Sequence, residues 1–240
     1  MDVKEEAILG PAIKDHWYYV SKGRALRMIL GGKPVEEVLD VGAGSGVFTR
    51  QLLDFGLARR GVCVDPGYDA AHVETHNGCE IAFVRGVDEV PQKLLLMMDV
   101  LEHVDDDIGL LREYTDRMPP GGRVLITVPA FQFLWSGHDV FLEHRRRYTL
   151  SHIEKVARRA DLRVLKGRYF FGALFPLVAA IRMRDRLQLG AGKTEAKSQL
   201  KLASPFVNNT LVRIHDVERV TLFSINRLAG LTAFCLAVRD

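Results

Sequence analysis

The sequence is poor in cysteine, in net charge and in long apolar runs. Its 240 residues hold three cysteines, Cys63, Cys79 and Cys235, and no pair is spaced as CxxC. That excludes a disulfide-stapled scaffold and a cysteine-rich zinc site, and it predicts three reduced thiols in a cytoplasmic setting. The 33 basic and 30 acidic side chains leave a net charge of only +3, too balanced to argue for nucleic acid, and no nucleic-acid partner is expected. The opening MDVKEEAILGP lacks the basic start and long apolar stretch of a signal peptide. The longest uncharged apolar run, 169–181, contains Gly172 and Pro176 and falls short of the roughly 20 residues that span a bilayer. There is no internal repeat and no low-complexity tract. What is present is 48% hydrophobic content, enough for one ordinary domain with a real core.

Short apolar runs alternate with helical patterns. Strands are predicted at 35–41, 60–65, 81–86, 93–98, 123–128, 162–169 and 231–238. Helices are predicted at 13–31, 47–55, 69–77, 106–118 and 151–160. The run at 93–98 is almost wholly apolar, as a strand buried on both faces should be. This order predicts an α/β fold: an open, mostly parallel sheet with helices on both faces. Ligands of such sheets lie beyond the carboxyl ends of the strands, at the switch point after the first strand. Residues 170–230 break the alternation and are too long for a plain connection. They are expected to fold as helices that cap the carboxyl edge. Within them Phe206, Leu211, Ile214 and Val217 fall near one helical face, and Lys193–Ser198 reads as a polar, mobile link.

At the switch point stands VLDVGAGSGVFT, residues 38–49. A phosphate-gripping loop of the GxxxxGK type needs a lysine that is absent here. The dinucleotide fingerprint GxGxxG fits poorly, because Val47 stands where its third glycine belongs. A nicotinamide oxidoreductase therefore remains only as an alternative.

The whole run resembles the first motif of the class I S-adenosylmethionine (SAM)-dependent methyltransferases. The resemblance continues in order through "GVCVD" ending at Asp65, Gly86-Val87-Asp88, "MDVLEHVDDD" and "MPPGGRVLITVP", covering about residues 35–165. "DHWYYVSKGRALRMIL" and "PAFQFLWSGHDVFLEHRRRYT" are similar to segments of a bacterial branch that includes ubiquinone-pathway and type 11/12 methyltransferases. The resemblance implies a Rossmann-like sheet of seven strands, the last antiparallel. It implies SAM as cofactor, S-adenosylhomocysteine as product and direct displacement onto the oxygen or carbon of a small or lipophilic acceptor. It also implies a layout: a helical lid over 1–34, a core over 35–169, a cap over 170–230 and a final strand over 231–240. A SAM-binding protein without catalysis is the other alternative.

The implied SAM contacts are the turn residues Gly42, Ala43, Gly44 and Gly46, with Asp40 toward the amino group and Asp65 with Pro66 at the ribose. Val87 and Asp88 would lie beside adenine, Asp99 and Val100 at the cleft. The opening helix of this branch carries an arginine run, here thinned to Lys22, Gly23 and Arg24, of which Arg24 is taken for the SAM carboxylate. His103 and His144 are the candidate bases, since an imidazole titrates near neutrality. His16, Trp17, His138, Asp139, Arg146 and Tyr148 are the candidate acceptor contacts. Asp105-Asp106-Asp107 invites a metal, but acids at a helix start are favoured by its dipole, so capping is expected and no metal. The stretch 169–186, apolar and then basic at Arg182, Arg184 and Arg186, fits a peripheral membrane contact, the wall of a greasy pocket, or plain packing.

Overall fold

The computed structural model describes residues 9–32, 34–189 and 202–240. The predicted link Lys193–Ser198 lies outside them. Eight strands form one sheet: β1 (Val35–Val41), β2 (Ala58–Val64), β3 (His72–His76), β4 (Cys79–Val84), β5 (Leu94–Met98), β6 (Arg123–Pro129), β7 (Leu162–Phe170) and β8 (Thr232–Arg239). Their spatial order is β3-β4-β2-β1-β5-β6-β8-β7. The central pairs β4–β2, β2–β1, β1–β5 and β5–β6 are parallel. The last strand, β8, runs antiparallel to both β6 and β7.

Two sequence expectations need correction. The predicted helix over 69–77 is instead the edge strand β3, an antiparallel hairpin partner of β4. Asn77 and Gly78 both take positive φ and make the two-residue turn that hairpins favour. The sheet therefore has eight strands rather than seven. The predicted helix over 13–31 is also divided. A 3₁₀ turn at Gly10–Asp15 stops at His16, whose extended backbone starts α1 (Trp17–Leu30).

The other helices are α2 (Val47–Asp54), α3 (Asp107–Thr115), the short α4 (Gly137–Phe141), α5 (Leu150–Arg159), α6 (Phe175–Leu189) and α7 (Pro205–Thr221). The pleat of β5 sends Leu94, Leu96 and Met98 into a core shared with α1 and α2. It sends Leu95 and Met97 into a second core shared with α3 and α5. All five of these residues are buried, which is why that run carries no polar residue.

The described part of the insertion holds two helices, α6 and α7, but α7 is turned the other way from the predicted face. Phe206 is 81% exposed and Val217 62% exposed, whereas His215 and Glu218 are buried. The reason is polar. The Glu218 carboxylate accepts the backbone N–H groups of Gly172 (2.6 Å) and Ala173 (3.2 Å) and meets His215 Nδ1 at 3.1 Å. The His215 ring then stacks on Trp17 at the start of α1. Asn208 completes the latch, accepting from Trp17 N at 2.7 Å and donating to the Asp15 carbonyl at 2.9 Å. These hydrogen bonds need the polar face inward, so the apolar face is left outward.

Leu26, on the inner face of α1, is fully buried, whereas Leu177 on α6 is 60% exposed. Leu26→Ala is expected to cost about 2–5 kcal/mol of unfolding free energy. Leu177→Ala should stay within about 0.5 kcal/mol. Urea denaturation of the two variants against the unaltered chain checks both.

Candidate active site

The site is assembled where β1, β2, β5 and β6 end. After β1 the chain turns through Gly42 (φ 67°), Gly44 (φ 51°) and Gly46 (φ 70°), all left-handed, before α2 begins at Val47. A Cβ on Gly42 would stand 2.7 Å from a Val100 methyl, so the turn and the segment after β5 approach as closely as glycine allows. Gly42 N and Ala43 N both donate to the Val64 carbonyl, and Gly46 N donates back to Ala43.

Asp65, at the end of β2, fixes this turn. Its Oδ2 accepts from Gly44 N at 3.1 Å and its Oδ1 from Gly67 N at 2.9 Å. Each oxygen keeps a lone pair for another donor. Pro66 follows it at the surface, and Tyr68 OH donates to the Gly44 carbonyl at 2.6 Å. Asp40 is almost wholly buried. Its Oδ2 accepts from Thr49 Oγ1 at 2.8 Å, while its Oδ1 has no partner among the described residues. Burial pushes this carboxyl up to about 6, and the nearby Asp65 charge adds to the shift against the opposing hydrogen bond from Thr49. A buried acid with a free oxygen suits a cationic ligand group. Val87 and Asp88 are held by Arg117, whose Nη1 donates to both of their carbonyls at 2.7 and 2.9 Å.

Asp99 follows β5 in a left-handed conformation (φ 57°). Its Oδ1 accepts from Thr127 Oγ1 at 3.1 Å, and its Oδ2 accepts from Tyr18 OH at 3.0 Å and from the fully buried Lys22 ammonium. Burial alone would raise the Asp99 carboxyl, but the Lys22 charge and the hydrogen bonds from Lys22 and Tyr18 outweigh it and hold it below its ordinary value. Lys22 is thus the basic group that α1 brings to the site. Arg24 is not. It pairs with Asp216 on α7 and lines a separate cleft with Arg27, Phe55 and Leu57. Helical spacing explains the difference. Lys22 shares the buried face of Tyr19, Leu26 and Ile29, and Arg24 lies two residues, about 200°, away from it.

The predicted acceptor contacts divide. Trp17 is half-buried against His215 and Phe171. His16 is 3% exposed and serves as the N-cap of α1, accepting from Tyr18 N. His138 is half-buried in the first turn of α4. Asp139 and Tyr148 have no exposed surface to offer a substrate. Asp139 closes a capping box with Ser136 and is gripped by Arg147 at 2.6 and 2.9 Å and by His144 Nδ1 at 2.9 Å. Those partners hold its carboxyl well below the usual range despite burial. The Tyr148 hydroxyl sits within 3.0 Å of the Leu101 carbonyl and 2.9 Å of Asp107, and burial with the Asp107 charge raises it. Arg146 pins the carbonyls of Val104 and Asp105. Asp106 caps α3 by accepting from Gly109 N at 2.8 Å, as expected of the acidic run.

The two candidate bases meet. His103, on a 3₁₀ turn after β5, and His144, beyond α4, place their ring centroids 4.8 Å apart, edge to face. Beside them Glu102, which sequence reasoning passed over, is fully buried and neither carboxylate oxygen has a hydrogen-bond partner among the described residues. Burial, with the Asp99 charge, holds its proton far above the usual carboxyl range.

A family model for the methyltransferase domain matches residues 16–166. The chain belongs to that methyltransferase family. A curated relative from Mycolicibacterium gilvum (strain PYR-GCK), an uncharacterized methyltransferase, is 31% identical over 132 residues, 48% of this chain and 50% of the relative. The match thus spans about half the length of that relative. Among solved structures, a SAM-dependent methyltransferase from Archaeoglobus fulgidus aligns with a TM-score of 0.53 at 18% identity, over 98% of this chain and 97% of that one. Haemonchus contortus phosphoethanolamine N-methyltransferase 2, in complex with SAM, aligns at 0.54 and 16% identity, over 91% of this chain and 52% of that one. These likenesses show the methyltransferase fold. The ubiquinone-pathway branch stays an expectation of the sequence.

The residues present fit SAM: a turn in which a Cβ on Gly42 or Gly46 would crowd Val100 or Phe83, an acid at the end of β2 with lone pairs to spare, and a buried acid with one oxygen unpartnered among the described residues. Asp40 must be ionised to hold a cation, and its folded-state value lies near 6. SAM affinity of this methyltransferase is therefore expected to fall as pH drops through 6, by up to about tenfold per unit, and to level off above it. Titration calorimetry from about pH 5 to about pH 8 checks this, and Asp40→Asn should flatten the profile.

Proposed function

We propose that the protein transfers a methyl group from SAM to a small or lipophilic acceptor, on oxygen or carbon. The observation that carries the reading is the pair of acids around the glycine turn: Asp65 stapled to Gly44, and Asp40 buried with one oxygen unpartnered among the described residues. Asp65, Pro66, Val87 and Asp88 would hold the ribose and adenine. The turn Gly42–Gly46, Asp40 and Val100 would hold the amino-acid part, while Lys22, the α1 cation that stands at this edge in place of Arg24, is paired with Asp99 and holds α1 against it.

SAM supplies a methyl group already activated on a sulfonium. The chain's task is then mainly positioning, which alone can supply about 7–11 kcal/mol of a barrier. The Asp99–Lys22–Tyr18 group ties α1 to the ends of β5 and β6, fixing the first layer of the lid. Trp17, Tyr18 and Phe171 pack ring against ring beside it. His103 and His144, which meet edge to face, are groups able to take a proton from an oxygen nucleophile.

The lipophilic acceptor and a peripheral membrane contact draw support from the outward faces of α6 and α7, where Leu177, Ile181, Met183, Phe206, Val217 and Val220 are exposed. No helix among the described residues is long and apolar enough to cross a membrane.

Incubation with methyl-labelled SAM and a metabolite and lipid extract tests the proposal. Label is expected in a small or lipid-extractable product, with S-adenosylhomocysteine formed in equal amount, and Asp65→Ala should reduce the yield by about 100-fold or more. SAM binding without transfer to any component would favour the non-catalytic reading instead.

A further inference from the structure

We propose that Glu102, His103 and His144 bind a divalent first-row transition-metal ion. One ligand atom from each of the three lies within 4.8 Å of the other two, and they are the one such group among the described residues. Ligand atoms around a tetrahedral ion with bonds of about 2.1 Å stand about 3.4 Å apart. The three must close by up to about 1.4 Å to ligate one ion.

Three observations point to a cation rather than to packing. First, Glu102 is 0% exposed and neither of its carboxylate oxygens has a hydrogen bond among the described residues. A buried carboxyl with no donor is costly unless it is protonated or meets a positive charge. Lys22, the nearby cation, is already committed to Asp99. Second, His144 is preset for ligation. Its Nδ1 faces Asp139 at 2.9 Å, and Arg147 with Ser136 N and Oγ holds that carboxylate in place. A proton held at Nδ1 leaves Nε2 with its lone pair outward, the arrangement in which an acid orients a metal-binding imidazole. Third, the two ligand-bearing segments are joined directly, Arg145 N donating to the Glu102 carbonyl at 2.6 Å. The spacing is therefore fixed by the backbone.

Two imidazoles and one carboxylate favour zinc, manganese, iron or cobalt over magnesium or calcium, which prefer all-oxygen shells. Three protein ligands leave at least one position for water or another oxygen ligand. The sequence had weighed a metal only at Asp105-Asp106-Asp107 and expected none. The candidate lies instead at the neighbouring Glu102-His103, completed across the fold by His144. The site stands on this geometry alone, apart from the methyl-transfer reading.

The test is titration of chelator-stripped full-length protein with cobalt and zinc salts, read by the visible absorption of cobalt and by bound-metal content. Binding of one ion per chain is expected, weakened about tenfold or more by each of Glu102→Gln, His103→Ala and His144→Ala. SAM titration of the same samples reports separately on the methyltransferase reading and on folding. As a second measurement on the unaltered chain, added manganese should broaden the ring resonances of His103 and His144 before those of the exposed His72. The proposal is overturned if the unaltered chain binds no ion, if the triple variant binds as tightly, or if His72 and His76 respond first.

Discussion

The hydrogen bond from Gly44 N to the Asp65 carboxylate is the contact on which the site depends. It joins the first turn of the sheet to the end of the neighbouring strand. The turn can reach it only because three glycines take left-handed backbone in five residues. That path brings Gly42 against Val100, and so sets the segment after β5 against the same edge. Asp40, Asp65 and Asp99 thus end three adjacent strands at one place. Each is stabilised differently: by a single hydroxyl, by two backbone donors, and by a buried ammonium.

Those differences set what each acid can do. Asp99 has its charge balanced within the chain and serves to anchor α1. Asp65 is oriented with lone pairs remaining. Asp40 lacks a full set of partners and pays for burial with a raised affinity for its proton. A ligand that brings a positive charge to Asp40 and hydroxyls to Asp65 satisfies both. Glu102 carries the same logic further: neither of its carboxylate oxygens has a hydrogen-bond partner among the described residues, and two imidazoles stand beside it.

Much of this was legible in the sequence because it depends on local pattern. The wholly apolar β5 run fixes a central parallel strand, and the glycines of the turn have a conformational cost that other residues would not bear. The edge strand β3 was not legible. Asp69–Asn77 has few apolar residues and no clear period, and its strand forms because β4 offers an open edge. Arg24 misled because its charge was weighed and its helical face was not; Lys22 lies with Tyr19, Leu26 and Ile29. The inward face of α7 was hidden for the opposite reason. Apolar spacing predicted burial of Phe206 and Val217, but Glu218 and His215 find tertiary hydrogen-bond and ring partners that no local pattern records. Asp139 and Tyr148 look like exposed polar residues in a basic loop, and only the fold shows them sealed inside it.

The most direct measurement of the central claim is calorimetric titration of the purified protein with SAM and, separately, with NAD. One SAM per chain is expected to bind, with binding lost in Asp65→Ala, and NAD is expected not to bind. Binding of NAD with none of SAM would contradict the claim.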